Sequence, residues 1–316
     1  MSARTPTGEP EPRAAAGPRA LAALLDSPRW LGVLMIGPAV LYIVLVVGLP
    51  FVLAILYAFS GVTMGSRTIE FVGLKNFISV VGTAKFQTSL RNTFVFALVA
   101  QVLVMVLGTV LALALLKEFR GKWLVRLLIL LPWVAPISLG TIGWLWILDS
   151  TYSVINWTLE ALGLITADGW LMWLGVPYLA MGSVIAIHVW RILPLATVIL
   201  LAGLTSIPHD IHDAAQVDGA SFARHLFQIT LPLIRPIMLV AGLFGLVFAF
   251  TDMIVIFVLT RGGPYDTTQV LASLAFFTGI QAGDLAEGAA VALFLFPLLL
   301  AVAAAFLRIA RRAEVT

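Results

Sequence analysis

Three ionisable side chains interrupt long apolar runs of this sequence: His188, Arg191 and Asp252. His188 and Arg191 are three positions apart, so on a helix they share one face. An ionisable group at the middle of a bilayer costs about 2.5–3.5 kcal/mol on insertion scales, and by default it indicates a path for a polar solute or ion. Two other interpretations stay open. Arg191 and Asp252 could form an ion pair that helps helices pack, or either side chain could extend to the water interface.

The elements that carry these residues are predicted to be membrane helices. Of the 316 residues, 61% are hydrophobic and 11% are charged, whereas soluble domains average about 45–50% and about 25%. With a mean hydropathy of +1.05, a soluble globular protein is excluded, because so much apolar surface cannot be hidden in one core. The sequence has no cysteine, which excludes disulfides, thiolate metal sites and cysteine nucleophiles.

Runs long enough to cross about 30 Å of hydrocarbon as helices define the organisation of the chain. They predict an all-α polytopic membrane protein with six transmembrane helices, since helix is the only open-ended structure that satisfies its backbone groups within lipid. Residues 1–28, rich in Pro, Ala and Arg, indicate a disordered cytoplasmic tail; residues 29–312 form the membrane domain and 313–316 a short tail. The predicted spans are 31–59, 93–116, 124–148, 178–204, 237–259 and 289–307.

The distribution of Lys and Arg predicts the orientation. If the N-terminus is cytoplasmic, most basic residues fall in the cytoplasmic segments, for example Lys117, Arg120 and Arg126. The connection at 149–177 carries carboxylates and no basic residue. By the positive-inside rule both termini are expected in the cytoplasm.

The connection at 205–235 carries the most information. Pro208 offers a helix start, and apolar residues then recur at near-helical spacing. Gly219 can take a left-handed conformation at no steric cost, so it can end this helix and turn the chain. A second short helix at 221–229 follows. The segment predicts an elbow of two small helices outside the membrane, or alternatively a loop lying on the bilayer surface.

Three histidines, His209, His212 and His225, lie in or beside this elbow. Their spacing does not fit a metal site. We therefore expect them to be solvated surface side chains.

The elbow contains the pattern DAAxxDGA, followed by a hydrophobic helix and Pro232. This pattern resembles the EAA loop of ABC importer permeases, with Asp213 where Glu is usual. The shorter side chain keeps the charge and changes its reach. The resemblance implies that the elbow is the coupling helix, which sits in a cleft of a separate ATP-hydrolysing subunit. The resemblance implies that the residues that contact the ATPase subunit are Asp213, Ala214, Ala215, Asp218, Gly219 and Ala220.

Further motifs extend the resemblance from about residue 31 to the C-terminus. FVGLKNF at 71–77, LPW at 131–133 and LTRGGP at 259–264 resemble the carbohydrate branch of these permeases, and the last indicates the maltose-type larger subunit. The resemblance implies an ABC importer type I permease fold. It also implies a substrate among oligosaccharides, disaccharides and polyols or glycerol phosphate.

The resemblance also implies where the substrate is held, because maltose-type permeases bind the sugar midway across the membrane. An aromatic face with hydrogen-bond donors and acceptors suits a sugar. Arg191 with His188 would alternatively favour a phosphate-bearing polyol, against which Asp252 argues in part. Asp252 itself replaces an amide that is more usual there. The implied path residues are Trp133, His188, Arg191, Phe248, Ala249 and Asp252.

Partners follow from the same resemblance. The sequence has no G-x-x-x-x-G-K-[ST] motif, and no Ser/His/Asp grouping or metal-ligand spacing. We therefore expect no enzymatic activity and no cofactor in this chain, with ATP and Mg bound by a partner ATPase. The expected complex pairs this chain with a second, different permease, two ATPase subunits and an extracytoplasmic substrate-binding protein, in a bacterial or archaeal cell membrane. No nucleic acid partner is expected.

Three other functions stay open at this point. A secondary transporter driven by an ion gradient would leave the elbow without a role. An ABC permease for a non-sugar solute, such as an amino acid or phosphate, would need a more strongly charged cluster in its spans than Arg191 with His188. A membrane scaffold would have no reason to place Arg191 and Asp252 in the bilayer.

Overall fold

The computed structural model describes residues 28–314, with side chains from 30 to 309. The tail predicted at 1–28 therefore lies outside the described residues, except for Pro28, which begins the first helix. The chain divides into two units, 1–54 and 55–316. The first unit contains Pro28–Ile43, the π-helical turn Val44–Gly48 and the start of Leu49–Ala58. Its apolar side chains are exposed, as expected of a surface that faces lipid.

Six membrane spans can be assigned among residues 28–314. Four single helices are long and apolar enough to cross a bilayer, and two further pairs of helices qualify if each bent pair counts as one span. Counted in this way, the described helices agree with the six predicted spans in number and order. We number them span 1, Trp30–Ala58; span 2, Ala84–Leu116; span 3, Lys122–Val134 with Ile137–Ile147; span 4, Pro177–Thr205; span 5, Arg235–Thr251, which qualifies only together with the preceding Phe222–Leu233; and span 6, Leu285–Ile309, whose helix continues to Glu314.

Span 2 begins nine residues earlier than predicted, at Ala84. Thr83 caps it, since its side-chain oxygen accepts a hydrogen bond from the backbone N–H of Phe86. The first turns carry Ser89 and Asn92, which are polar and yet buried. A search for apolar runs misses such turns, because a polar side chain such as Asn92 is buried by binding another part of the chain.

Two predicted spans are broken. Span 3 bends by 99° between Val134 and Ile137, where Pro136 removes a backbone donor. Span 5 does not continue to residue 259 as its apolar run predicts, because its helix ends at Thr251 and Ile254–Leu259 forms a separate short helix. The cause is Asp252: its backbone is extended, with ψ 103°, and its Oδ1 accepts the N–H of Val255.

The core of the second unit lies where span 2, span 4 and span 5 pack together. Phe96, Ile192 and Phe250 are almost fully buried there. Gly108 of span 2 lies so close to span 4 that a Cβ in its place would be 3.4 Å from side-chain carbons of Ala196 and Leu200. Small residues thus allow close helix approach, as they do in other membrane proteins.

The connections contain short helices that hydropathy does not predict. They are Lys75–Val81, Val154–Ala161 and Leu271–Phe276, the last extended by the π-helical turn Phe277–Gln281. Leu271–Phe276 and this turn pack against span 6, where Gly279 and Gly288 are in backbone contact and a Cβ on Gly288 would collide with Gly279. Ala272 and Ala275 of this helix also line a cavity within the second unit.

Candidate functional site

Asp252 lies at the helix break after span 5, and its side chain binds two residues of span 4. Its Oδ2 lies 2.6 Å from Nδ1 of His188 and accepts a hydrogen bond from Nη2 of Arg191 at 2.9 Å. The side chains of His188 and Asp252 are 1% exposed, and that of Arg191 is 16% exposed. With Oδ1 bound to Val255 at 3.2 Å, the Asp252 carboxylate has three partners. The ion pair that the sequence left open between Arg191 and Asp252 is therefore present.

A cavity of about 460 Å³ opens at this break. Arg191 and Phe248 reach it from span 4 and span 5, and the broken backbone at 251–254 forms part of its wall. Another part of the wall is apolar and made of small or branched side chains. These are Ala272 and Ala275 of the helix before span 6, and Ala292 and Leu295 of span 6 itself.

The predicted path residues separate into two groups. Arg191, Phe248 and Asp252 line the cavity. Trp133 adjoins it through an edge-to-face contact with Phe248, with ring centroids 5.6 Å apart. His188 and Ala249 are buried to 1% exposure and do not line it. His188 instead contributes by holding the Asp252 carboxylate.

The chemistry of the cavity is that of a polar strip on an apolar surface. Asp252 balances the charge of Arg191, so the pair is neutral as a unit. Nε of Arg191 is buried and has no hydrogen-bond partner within the part of the chain that the structure describes. The guanidinium has further N–H donors besides the one bound to Asp252, so a ligand with hydroxyl or other acceptor oxygens suits the part of Arg191 that lines the cavity. Phe248 with Trp133 offers an aromatic surface for an apolar face.

The elbow is a second candidate site, and its two helices form as expected. The first elbow helix is His209–Val217, and the second, Phe222–Leu233, contains a π-helical stretch and meets span 5 at a bend of 73°. Gly219 between them has φ +68°, the left-handed conformation predicted for the turn. Ser221 then caps the second helix by accepting from the N–H of Arg224 at 3.4 Å.

Most of the predicted coupling residues are accessible. Asp213, Ala214, Asp218 and Gly219 are exposed, whereas Ala220 is half-buried. Ala215 differs, because it is 5% exposed and its carbonyl accepts the N–H of Ala220 across the turn at 3.0 Å. The exposed residues could contact a partner, while Ala215 holds the turn. Large apolar side chains are also exposed on the elbow, namely Val217, Phe222 and Phe227.

Two of the three elbow histidines are not solvated surface side chains. His212 and His225 are half-buried, and their Nδ1 and Nε2 atoms lie 2.9 Å apart. Burial lowers the pKa of His212, and the neighbouring His225 and His209 lower it further, whereas Asp213 raises it. The expectation of surface histidines is correct only for His209, which is exposed. Sequence spacing could not reveal a contact made across a turn.

The segment after Ile254–Leu259 is a tightly held loop, which its sequence motif alone does not predict. The side-chain amide of Asn92 donates to the carbonyls of Asp266, Thr267 and Gln269, at 3.3, 2.9 and 3.0 Å. Tyr265 at its tip is 93% exposed and has φ +52°. An exposed aromatic ring on a loop fixed at its base is suited to contact another protein.

Comparisons with known proteins place this geometry in a family. Residues 104–315 match the family model described as "Binding-protein-dependent transport system inner membrane component". The chain is 34% identical over 241 residues to the trehalose/maltose transport system permease protein of Thermococcus litoralis, covering 76% of this chain and 80% of that protein. It is 31% identical over 284 residues to the sulfoquinovosyl glycerol transport system permease protein of Agrobacterium fabrum, covering 90% and 91%.

Solved structures agree on the fold. A chain in the crystal structure of a bacterial ABC transporter involved in the import of the acidic polysaccharide alginate superimposes with a TM-score of 0.78, covering 93% of this chain and 99% of that one at 20% identity. The family model spans about two thirds of the sequence, including span 3, span 4, the elbow and span 5. The chain is therefore a member of the family of inner membrane components of binding-protein-dependent transport systems.

Proposed function

We propose that this chain is the membrane subunit of an ATP-driven importer for carbohydrate. Its relatives include proteins named as permeases for trehalose/maltose and for sulfoquinovosyl glycerol, and a further one is named as a diacetylchitobiose uptake permease of Streptomyces coelicolor. These ligands share a ring with hydroxyl groups. The observation that carries the proposal is the cavity at the break after span 5, which joins the Arg191–Asp252 pair to the Phe248 ring.

In this proposal the cavity is the substrate path. Arg191 presents its guanidinium to the cavity, and Phe248 with Trp133 provides the aromatic surface. Asp252 fixes the guanidinium of Arg191 through a hydrogen bond, and His188 in turn holds the Asp252 carboxylate. Because the charge of Arg191 is already balanced, a neutral sugar suits the cavity better than a phosphate-bearing polyol, whose charge would compete with Asp252.

The elbow is proposed to couple transport to ATP hydrolysis. Its exposed Asp213, Ala214, Asp218 and Gly219 would enter a cleft of an ATPase subunit that binds ATP and Mg. Small side chains allow a partner surface to approach closely, and the hydrogen bonds around Gly219 support a turn rigid enough to transmit movement. Closure of two ATPase subunits would then tilt the helices between inward-open and outward-open states of the cavity.

The complete importer would contain further chains. We infer a second, different permease beside this one, two ATPase subunits and an extracytoplasmic substrate-binding protein. The orientation follows the positive-inside rule, with both termini and the elbow in the cytoplasm. The loop that carries Tyr265 would then face the binding protein.

Uptake into proteoliposomes tests this function. The complex is purified with its ATPase and reconstituted with ATP inside, the binding protein outside and a panel of radiolabelled neutral and acidic sugars. We expect uptake that requires internal ATP and persists when ionophores dissipate proton and sodium gradients. Uptake driven by an ion gradient without ATP would contradict the proposal and favour a secondary transporter. ATP-driven uptake of amino acids or phosphate alone would contradict the carbohydrate assignment.

A further inference from the structure

The two helices of the elbow are joined at two separate places. The first is the turn at Gly219, where Ala220 donates to the carbonyl of Ala215. The second is the contact between His212 and His225, thirteen residues apart in the chain, with ring centroids 4.9 Å apart. A turn alone leaves the angle between two helices free to vary. The contact between the rings fixes it.

The first elbow helix is also anchored to the membrane domain. Ile211 packs against a buried cluster that includes Leu204 and Ile234, so residues on both sides of the elbow meet there. His212 follows Ile211 directly. Movement of the first helix relative to the second would therefore have to break the histidine contact.

The charges around the pair come from both elbow helices. His209 and Asp213, on the same helix as His212, act on its ring together with His225. Arg224 directly precedes His225, and its Nε donates to Gln228 along its own helix at 3.2 Å. The remaining ionisable groups of these helices and their turn are Asp210 and Asp218.

We propose that His212 and His225 are positioning residues for coupling: their hydrogen bond holds the first elbow helix at the angle that transmits movement of the ATPase to span 5, and the bond is lost when both rings are protonated. This inference rests on the proposed coupling function of the elbow. It adds to that function a dependence on cytoplasmic pH.

Imidazole chemistry gives the sign of the dependence. Two neutral rings form the bond with one N–H donor and one lone pair, and a single added proton keeps it. Two imidazolium rings have only donors and repel each other. Because the pKa of His212 is lowered, its ring binds a proton less readily in the folded elbow than a free histidine does. The bond is therefore present at neutral pH, and it is lost on acidification when His212 takes up a proton at its lowered pKa beside a His225 ring that also carries one.

The experiment compares pH profiles of coupling in the complete importer. In proteoliposomes, the number of sugar molecules taken up per ATP hydrolysed is measured against the pH on the ATPase side, using the sugar that the uptake panel identifies. Wild type is compared with His225→Gln, His225→Leu and His209→Gln. Glutamine does not titrate, and its Oε1 can accept from a protonated His212. Leucine removes the bond, and His209→Gln is the matched control on an exposed ring of the same elbow.

We expect the wild type and His209→Gln both to lose coupling about fivefold on acidification, the factor that corresponds to one ordinary hydrogen bond. In His209→Gln the loss should begin at a higher pH, because His209 no longer lowers the pKa of His212. His225→Gln should keep coupling across the same range, and His225→Leu should show the low value already at neutral pH. Superimposable profiles for wild type and His225→Gln would overturn the inference, as would normal coupling in His225→Leu. A wild type without ATP-driven uptake at any pH would instead refute the proposed function.

Discussion

Replacing Asp252 by leucine tests whether the buried charge cluster supports both stability and transport. The substitution removes an acceptor with three partners and leaves Arg191, whose side chain is only 16% exposed, without a counter-charge. Breaking a buried ion pair from one side costs about 3–5 kcal/mol. For a chain of this size that corresponds to a melting temperature lowered by roughly 10 °C, which tryptophan fluorescence of the purified protein can measure. Uptake should fall to background.

The double variant Arg191→Leu/Asp252→Leu is the matched control. Because an apolar pair can replace a buried ion pair at little cost, its melting temperature should return to within a few degrees of the wild type. Uptake should stay at background, since the cavity has lost its polar strip. A single variant Asp252→Leu that melts and transports like the wild type would refute the assigned role of Asp252. Wild-type uptake by the double variant would refute the proposal that this cavity is the substrate path.

Three further predictions concern the turn, the helix before span 6 and the loop. Gly219→Val should leave the protein in the membrane and abolish uptake, because a β-branched residue resists φ +68° by about 1–2 kcal/mol; Gly65→Val, at φ +96° outside the elbow, should transport normally, and equal effects of the two would contradict a specific role. Gly288→Ala should lower the melting temperature by several degrees, because its Cβ collides with Gly279; an unchanged melting curve would show that the two backbones can separate freely. Asn92→Ala should weaken stimulation of ATP hydrolysis by the binding protein at least threefold, because three loop carbonyls lose their donor; full stimulation would exclude this loop from the binding-protein contact.

Hydropathy predicts where the spans lie along the chain, because each needs about twenty apolar residues whatever its neighbours, but it does not predict the bend in span 3 or the end of span 5. The turn at Gly219 is equally local, since a glycine after a short helix commonly takes the left-handed conformation. The break after span 5 is hidden in the sequence. Met253, Ile254 and the residues that follow continue the apolar run, and only the side chain of Asp252, bound to Val255 and to span 4, ends the helix.

The polar residues of the site are predictable from the sequence, whereas its walls are not. Arg191 and Asp252 stand out because ionisable residues are rare in spans. Ala272 and Ala275 line the same cavity but belong to a helix that is too short to register as a span. The contact between His212 and His225 depends on how two helices meet across a turn. No spacing rule within one helix describes such a contact.

Crosslinking from the elbow to the ATPase tests whether the elbow couples this chain to ATP hydrolysis. The sequence has no cysteine, so Ala214→Cys introduces a single reactive thiol at an exposed coupling position, and Tyr152→Cys provides an exposed control, 78% accessible, in a connection predicted to lie outside. A short bifunctional reagent is applied to the complex in membranes, with and without ATP. We expect an adduct between this chain and the ATPase from Ala214→Cys only, with a yield that changes on ATP binding. If Ala214→Cys gives no adduct in either state while the complex is intact, the elbow is not the coupling element.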